Sequence, residues 1–192
     1  MPHKKVLDFS KNVIIAGIVK DAAGRKKGGS VLDLGSGSGR HAIFLAEKGF
    51  SVTAMDSDTQ ALAELKAVTR GGKLDIQCKR ADIANYKPGK KFDIVLAINS
   101  FHFLGSAQVP KVIERIKKYT AAGGLVVIAV HTDKNPAGSR PYLFKKNELK
   151  NFFSDWKIVK YAERLGASFM VRATGKPIRK YKAEIIAKKS EK

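Results

Sequence analysis

Two kinds of hydrophobic run alternate along most of this 192-residue chain. Short runs dense in Val, Leu and Ile are typical of strands that are buried on both faces of a parallel sheet. Between them lie segments whose apolar residues recur three or four positions apart, which predicts amphipathic helices. The predicted strands are 30–34, 51–56, 74–79, 92–98 and 125–130, and the predicted helices are 40–48, 57–69 and 108–119. This alternation indicates parallel strands joined by right-handed crossovers.

The two ends of the chain depart from the alternation. Residues 6–26 predict one amphipathic helix before the first strand, which either packs on the sheet or covers a site as a lid. After a short predicted helix at 144–153, the last two predicted strands, 157–164 and 181–188, have no helix between them. They are expected to pair as a hairpin around a long loop. We expect a single domain with an N-terminal helix (1–27), a cofactor-binding core (28–130) and C-terminal strands with a substrate loop (131–192).

Composition limits the possible classes of protein. No apolar run approaches the about 18 residues of a membrane span, and the N-terminus lacks the apolar segment of a signal peptide. Cys78 is the only cysteine, which excludes internal disulfides and multi-cysteine metal sites and favours a core role in a cytoplasmic protein. The net charge of +20 would attract nucleic acid or anionic small molecules, although its Lys and Arg pairs are scattered as on a solvated surface.

A glycine-rich segment follows the first predicted strand directly. Gly35, Gly37 and Gly39 alternate with other residues, and Asp33 lies two residues ahead of them. Glycines let the backbone turn sharply and approach a ligand, so these residues and Ser36 are candidates to bind a nucleotide-type cofactor. The third glycine comes two residues after the second, whereas in a dinucleotide-binding fingerprint it comes three residues after. A tight turn between strand and helix is the alternative.

Polar residues end the next three predicted strands, where open parallel sheets bind their ligands. Asp56, followed by Ser57, could accept hydrogen bonds from ribose hydroxyls. Asp82 and Ile83 offer a carboxylate for an adenine amino group and an apolar side chain for the ring face, and Asn99 ends the fourth strand. Each also has a structural alternative, because Asp caps helices or closes turns and Asn satisfies backbone groups at strand ends.

In their order and spacing, these segments resemble motifs I to IV of the class I S-adenosylmethionine-dependent methyltransferases, from about Gly28 to Val130. The resemblance implies an α/β fold: a doubly wound, seven-stranded, mostly parallel sheet that ends in an antiparallel hairpin. It also implies S-adenosyl-L-methionine as methyl donor, S-adenosyl-L-homocysteine as product, and no metal ion.

The C-terminal third resembles the tellurite-resistance methyltransferases, which act on soft oxyanions and related small molecules. The resemblance rests on residues 142–149 with Trp156, Tyr161 and Gly166. It implies a small, anionic methyl acceptor. The chain departs from that family where a histidine and an arginine are expected after the glycine, because Phe169 and Met170 stand there.

Methyl transfer from a sulfonium is an in-line displacement, so alignment and charge stabilisation matter more than covalent catalysis. If the acceptor must lose a proton, His102 is the first candidate for a base, since it follows the fourth strand. A histidine held between Phe101 and Phe103 is the structural alternative. His131 and Tyr142 are the second and third candidates.

Two other functions compete with this interpretation. A methyltransferase acting on RNA would use the basic surface, but the sequence after the fourth strand lacks the Asn/Asp-Pro-Pro-aromatic motif of enzymes that methylate base amino groups. A noncatalytic module would keep the cofactor-binding fold and act by association.

Overall fold

The computed structural model describes residues 28–135, 141–166, 169–170 and 177–191. Strands and helices alternate up to β5, except that a loop without a helix joins β3 to β4. The elements are β1 (Ser30–Leu34), α1 (Arg40–Glu47), β2 (Ser51–Asp56), α2 (Thr59–Thr69), β3 (Ile76–Arg80), β4 (Phe92–Ile98), a 3₁₀ turn (Phe101–Phe103), α3 (Gln108–Tyr119), β5 (Thr120–His131), α4 (Glu148–Asn151), β6 (Lys157–Leu165), β7 (Phe169–Met170), β8 (Pro177–Ile178) and β9 (Tyr181–Lys188).

Seven of the strands form one sheet in the order β3-β2-β1-β4-β5-β9-β6. The first five strands in this order pair in parallel, whereas β9 pairs antiparallel with both β5 and β6. The predicted α/β fold with a C-terminal antiparallel hairpin is therefore confirmed. The strand order reverses direction between β1 and β4, which creates a crevice at the carboxyl ends of these strands.

The core lies on both faces of the sheet, because the central strands are apolar at nearly every position. Val95 of β4 and Val126 of β5 belong to the cluster that includes residues of α3 and α4. Their neighbours Leu96 and Val127 belong to the cluster that includes residues of α1 and α2. This alternation fixes the register of the strands.

Several predicted boundaries are wrong, each for a local reason. β5 begins at Thr120 rather than 125, and the turn expected at Gly123 and Gly124 is an irregularity inside the strand, where the register with β4 shifts. The helix expected at 144–153 covers only Glu148–Asn151. The long loop expected between the last two strands contains β7 and β8, which pair antiparallel.

The helix predicted at 6–26, as a packing element or a lid, lies outside the described residues. Among the residues that the structure describes, no helix is both long and apolar enough to cross a bilayer.

Candidate active site

A cleft of about 560 Å³ opens at the crevice between the carboxyl ends of β1, β2, β3 and β4. This volume lies within the range of about 300–1,000 Å³ that small-molecule sites occupy. The residues that line it are Gly35, Gly37, Met55, Asp56, Ser57, Asp58, Ala81, Asp82, Ile83, Ala84, Asn99, Ser100, Phe103, Leu104 and Gln108.

The cleft brings together seven of the ten residues that the sequence suggests for cofactor binding. They are Gly35, Gly37, Asp56, Ser57, Asp82, Ile83 and Asn99. The other three, Asp33, Ser36 and Gly39, are not among the lining residues. Sequence reasoning missed the apolar lining of Met55, Phe103 and Leu104, although its signal was present, since each lies within a few residues of a predicted strand end.

The glycine-rich turn is tied to β2 by its backbone. The amides of Gly35 and Ser36 both donate to the carbonyl oxygen of Met55, at 2.8 and 3.0 Å. Gly37 has φ 54°, and a Cβ placed on it would meet no described atom within 4 Å. Gly37 therefore leaves open space in which a ligand can approach the backbone closely.

Gly39 has a different role, although it belongs to the same turn. It has φ 84° and immediately precedes α1. A Cβ placed there would lie 2.2 Å from Cδ1 of Leu65 in α2. The glycine at this position is thus required by the packing of two helices.

The two carboxylates at the end of β2 are used differently. Asp58 caps α2, because its Oδ1 accepts hydrogen bonds from the amides of Gln60 and Ala61 at 2.9 and 3.2 Å. Asp56 caps no helix: its Oδ2 accepts from the amide of Gly37 at 2.7 Å and its Oδ1 accepts from the amide of Asp58 at 2.9 Å. Each oxygen of a carboxylate has a further lone pair, so the held Asp56 can still accept from a ligand.

The loop after β3 is a compact turn. Oδ1 of Asp82 accepts from the amide of Ala84 at 2.8 Å, and the carbonyl oxygen of Asp82 accepts from the amides of Asn85 and Tyr86, both at 3.0 Å. The turn-closing role considered for Asp82 is therefore present, and the residue also lines the cleft beside Ile83.

Asn99 directly follows β4 and lies in the left-handed region, with φ 55°. Asparagine tolerates this conformation better than most residues. Its amide donates to the carbonyl oxygen of Ala129 at 2.8 Å, while its buried side-chain Oδ1 has no hydrogen-bond donor within the described part of the chain. A buried acceptor without a donor at a cleft is suited to receive one from a ligand.

Asp33 lies in β1 and is 1% exposed. Burial, together with the negative charge of Asp56, raises the pKa of the Asp33 carboxyl to about 7. Its buried Oδ2 has no donor among the residues described. A cationic ligand near this carboxyl would favour its ionised form.

The candidate bases lie at one end of the sheet, but none of the three lines the cleft. The rings of His102 and His131 stack with centroids 4.8 Å apart, and His131 is 8% exposed. His102 also contacts Phe103, at 4.1 Å between centroids, so its aromatic neighbours are Phe103 and His131. Burial raises the pKa of Tyr142, and so does the carboxylate of Glu148, to which the Tyr142 hydroxyl donates.

A positively charged group near these histidines was missed from the sequence. Lys182 in β9 lies directly opposite His131 in β5 and Arg164 in β6. Directly opposed residues in antiparallel strands place their side chains on the same face of the sheet.

The remaining histidine of the described residues, His41, lies in the first turn of α1. Burial, with the charges of Arg40 and Lys182, lowers the pKa of His41 to about 4, so this imidazole is neutral near pH 7.

The cleft fits an adenosyl ligand with a cationic amino-acid part. It combines an open backbone at Gly37, a preorganised carboxylate at Asp56, and apolar side chains for a base, including those of Ile83 and Leu104. The described residues contain no group of three or more His, Cys, Asp and Glu side chains arranged to hold a metal ion.

Comparison with known proteins agrees with this geometry. The family described as tellurite resistance protein TehB matches residues 7–185. A protein of Haemophilus influenzae named probable S-adenosyl-L-methionine-dependent methyltransferase TehB is 32% identical over 192 residues, which are 97% of this chain and 67% of that protein. The crystal structure of TehB from Haemophilus influenzae superposes with a TM-score of 0.79 at 31% identity. It covers 91% of this chain, which spans 62% of the crystallised protein.

More distant structures share the fold alone. The N-methyltransferase NodS from Bradyrhizobium japonicum, in complex with S-adenosyl-L-homocysteine, superposes with a TM-score of 0.72 at 15% identity and covers 95% of this chain and 88% of its own. The fold alone does not show to which family the chain belongs, whereas the family match over most of the chain does. The chain belongs to the TehB family of S-adenosylmethionine-dependent methyltransferases.

Proposed function

We propose that this protein transfers a methyl group from S-adenosylmethionine to a small anionic acceptor, with soft metalloid oxyanions as the first class to test. The single observation that carries the proposal is the cleft at the strand-order reversal, in which Asp56 is held by the amide of Gly37. The positive group at Lys182, beside the histidines, supports the anionic acceptor.

The proposed cofactor contacts follow the chemistry of each lining residue. The open backbone at Gly37 admits the amino-acid end of the cofactor, and Asp56 accepts hydrogen bonds from the ribose hydroxyls. Asp82 accepts from the adenine amino group, and Ile83 packs on the ring. Asn99 presents its buried Oδ1 to a donor of the cofactor.

The remaining candidates for cofactor binding contribute by their charge or by shaping the cleft. Asp33 supplies negative charge beneath a cationic ligand. Ser36 donates its amide to β2 and keeps the turn in place, Gly39 allows α1 to pack on α2, and Ser57 lines the cleft.

When bound, the cofactor supplies an electrophilic methyl group for in-line displacement. The chain then has to align the acceptor and balance its charge. His131 and Lys182 share one face of the sheet, so they offer a hydrogen bond and positive charge to an anion, whereas Arg164 on the same face is ion-paired with Glu184. His102, stacked on His131, is the proposed proton acceptor for substrates that must lose a proton. Tyr142 is proposed to contact the acceptor as a neutral phenol, because its pKa is raised.

The proposal is tested by methyl transfer from labelled S-adenosylmethionine to a panel of selenite, tellurite, small thiols and bulk RNA. We expect transfer to at least one small anion or thiol. Replacing Lys182 by Ala should raise the acceptor KM about tenfold, as expected for the loss of one charge-assisted hydrogen bond, with cofactor affinity unchanged. Lys188→Ala is the matched control, because Lys188 lies at the other end of β9 and pairs with Glu191.

Two results would contradict the small-molecule proposal. Methylation of RNA alone, with an affinity that falls steeply as salt rises, would favour the RNA methyltransferase. Cofactor binding without transfer to any acceptor in the panel would favour the noncatalytic module.

A further inference from the structure

One guanidinium group holds the loop that forms the proposed adenine end of the cleft. Arg115 lies on α3, and its Nη1 donates to the carbonyl oxygens of Ile83 and Ala84 at 3.3 and 2.5 Å. Both residues line the cleft, whereas Arg115 does not. Arg115 therefore acts on the cleft through the backbone of this loop.

The loop has few other hydrogen bonds to the rest of the protein. At its start, the amide of Ala81 donates to the carbonyl oxygen of Asp56 at 3.0 Å. The bonds of Asp82 to the amides of residues 84, 85 and 86 all lie within the loop. Those internal bonds preserve the shape of the turn, but they do not fix its position against the sheet. Among the hydrogen bonds of the described residues, those from Arg115 anchor the later part of the loop.

The same helix contributes to the opposite wall of the cleft. Gln108, the first residue of α3, lines the cavity together with Leu104, which precedes the helix. Arg115 on this helix thus links the wall that carries Leu104 and Gln108 to the wall that carries Asp82 and Ile83. Ala84 is buried in the core and Ile83 packs against it, so these apolar contacts and the Arg115 link together set the separation of the two walls at this end of the cleft.

The geometry points to Arg115 as a positioning residue that sets the affinity and selectivity of the site for the adenine base. This inference rests on the proposed placement of adenine at Asp82 and Ile83. A neutral Met at position 115 removes both hydrogen bonds while filling similar space, so the loop can shift relative to α3. A Lys keeps the charge but lacks the planar fork of donors, so it restores the position only in part.

The test measures binding of S-adenosylhomocysteine and of its inosine analogue by calorimetry, for the wild type, Arg115→Met and Arg115→Lys. We expect Arg115→Met to bind S-adenosylhomocysteine about tenfold more weakly, the loss expected when a hydrogen-bonded charge is removed. The preference for adenine over hypoxanthine should fall with it, and Arg115→Lys should lie between the two. Turnover at saturating cofactor should change little.

Lys117→Met is the matched control. Lys117 lies on the same helix and donates to the carbonyl oxygen of Phe152 and to Asp155, so it ties α3 to a region away from the cleft. Its replacement should lower the melting temperature and leave both the cofactor affinity and the base preference unchanged. A general loss of stability cannot imitate a changed preference between two ligands, so the preference separates positioning from folding.

The possible outcomes distinguish this inference from the proposed function. If the wild type binds S-adenosylhomocysteine, Asp56→Ala binds it at least about tenfold more weakly, and the Arg115 variants keep wild-type affinity and preference, the inference is wrong and the proposed site stands. An equal loss of affinity in Lys117→Met would also overturn it. If Arg115→Met does not fold, the affinity and preference of Arg115→Lys decide. Failure of the wild type to bind would overturn the inference and the proposed function together.

Discussion

At the scale of single residues, Asp33 is a carboxyl group whose burial opposes its ionisation. Its carboxyl is 1% exposed and has a pKa raised to about 7, mainly because burial disfavours the ionised form. In the unfolded chain the same group ionises near pH 4. Between these two values the folded protein holds a proton that the unfolded chain releases, so this group makes stability fall as pH rises from about 4 to 7.

Replacing Asp33 by Asn tests this linkage. The variant needs no ionisation, so its stability relative to the wild type should rise between pH 4 and 7, by about 1.4 kcal/mol for each unit of raised pKa, and then level off. Denaturant unfolding of both proteins from pH 4 to 8 measures the difference. His41, whose lowered pKa acts in the opposite direction, is present in both proteins and cancels. A difference that stays constant across this range would contradict the assigned shift.

The sequence could predict which residues lie at the cleft, but it could predict less well the role that each of them has there. Asp56 and Asp58 are the same residue type two positions apart, and only the structure separates the held carboxylate from the helix cap. Arg115 gave no signal in the sequence, because its partners are backbone carbonyls, which every residue possesses.

At the scale of elements, the glycine-rich turn combines a proposed ligand contact with a helix contact. Gly37 faces open space, while Gly39 brings the start of α1 against Leu65 of α2. Both have positive φ, so an alanine at either position costs about 1–2 kcal/mol in backbone strain. Only at Gly39 does the added carbon also collide with a buried side chain.

The two alanine variants should therefore fail in different ways. Gly37→Ala should remain folded with a modest loss of stability, yet bind S-adenosylhomocysteine poorly, because its Cβ enters the space left for the ligand. Gly39→Ala should be destabilised by several kcal/mol, about the cost of an overpacked core added to the backbone strain. Thermal melts and calorimetry on both variants separate the effects. Equal stability of the two, or wild-type binding by Gly37→Ala, would contradict the assigned roles.

Elements with a strong apolar period could be predicted from the sequence, and those shaped by neighbouring strands could not. The run 92–98 coincides with β4 because every position in it suits a buried parallel strand. The start of β5 was missed because glycines at 123 and 124 indicate a turn, whereas pairing with β4 carries the strand back to Thr120 across an irregularity. The short pair of β7 and β8 has two residues in each strand, too few to show a period.

At the scale of the whole molecule, the topology explains why distant segments form one site. The reversal of strand order between β1 and β4 brings together residues that are more than 60 positions apart, such as Gly35 and Asn99. The gathering of polar residues at the carboxyl ends of parallel strands could be predicted from the alternation of strands and helices, but the alternation alone does not set the order of the strands. The proposal of an anionic acceptor depends instead on strand register, since only pairing with β9 places Lys182 beside His131.

The high net charge of +20 also acts on the whole molecule. Such a charge raises the local concentration of any anion, whether a small oxyanion or a nucleic acid, and its effect falls with ionic strength. Charge alone therefore does not select the acceptor. The selection has to come from the groups that face the reacting atoms.

The central claim is that the turn at Gly37 and the carboxylate of Asp56 bind the adenosyl cofactor. Its most direct test is calorimetric titration of S-adenosylhomocysteine into the wild type, Asp56→Ala and Asp93→Ala. Asp93 is the control, because its carboxylate accepts from the amide and hydroxyl of Ser30 at the amino ends of β1 and β4, away from the cleft. We predict one site in the wild type and in Asp93→Ala, with affinity at least about tenfold weaker in Asp56→Ala. Absence of binding to the wild type, or equal affinity of all three proteins, would contradict the claim.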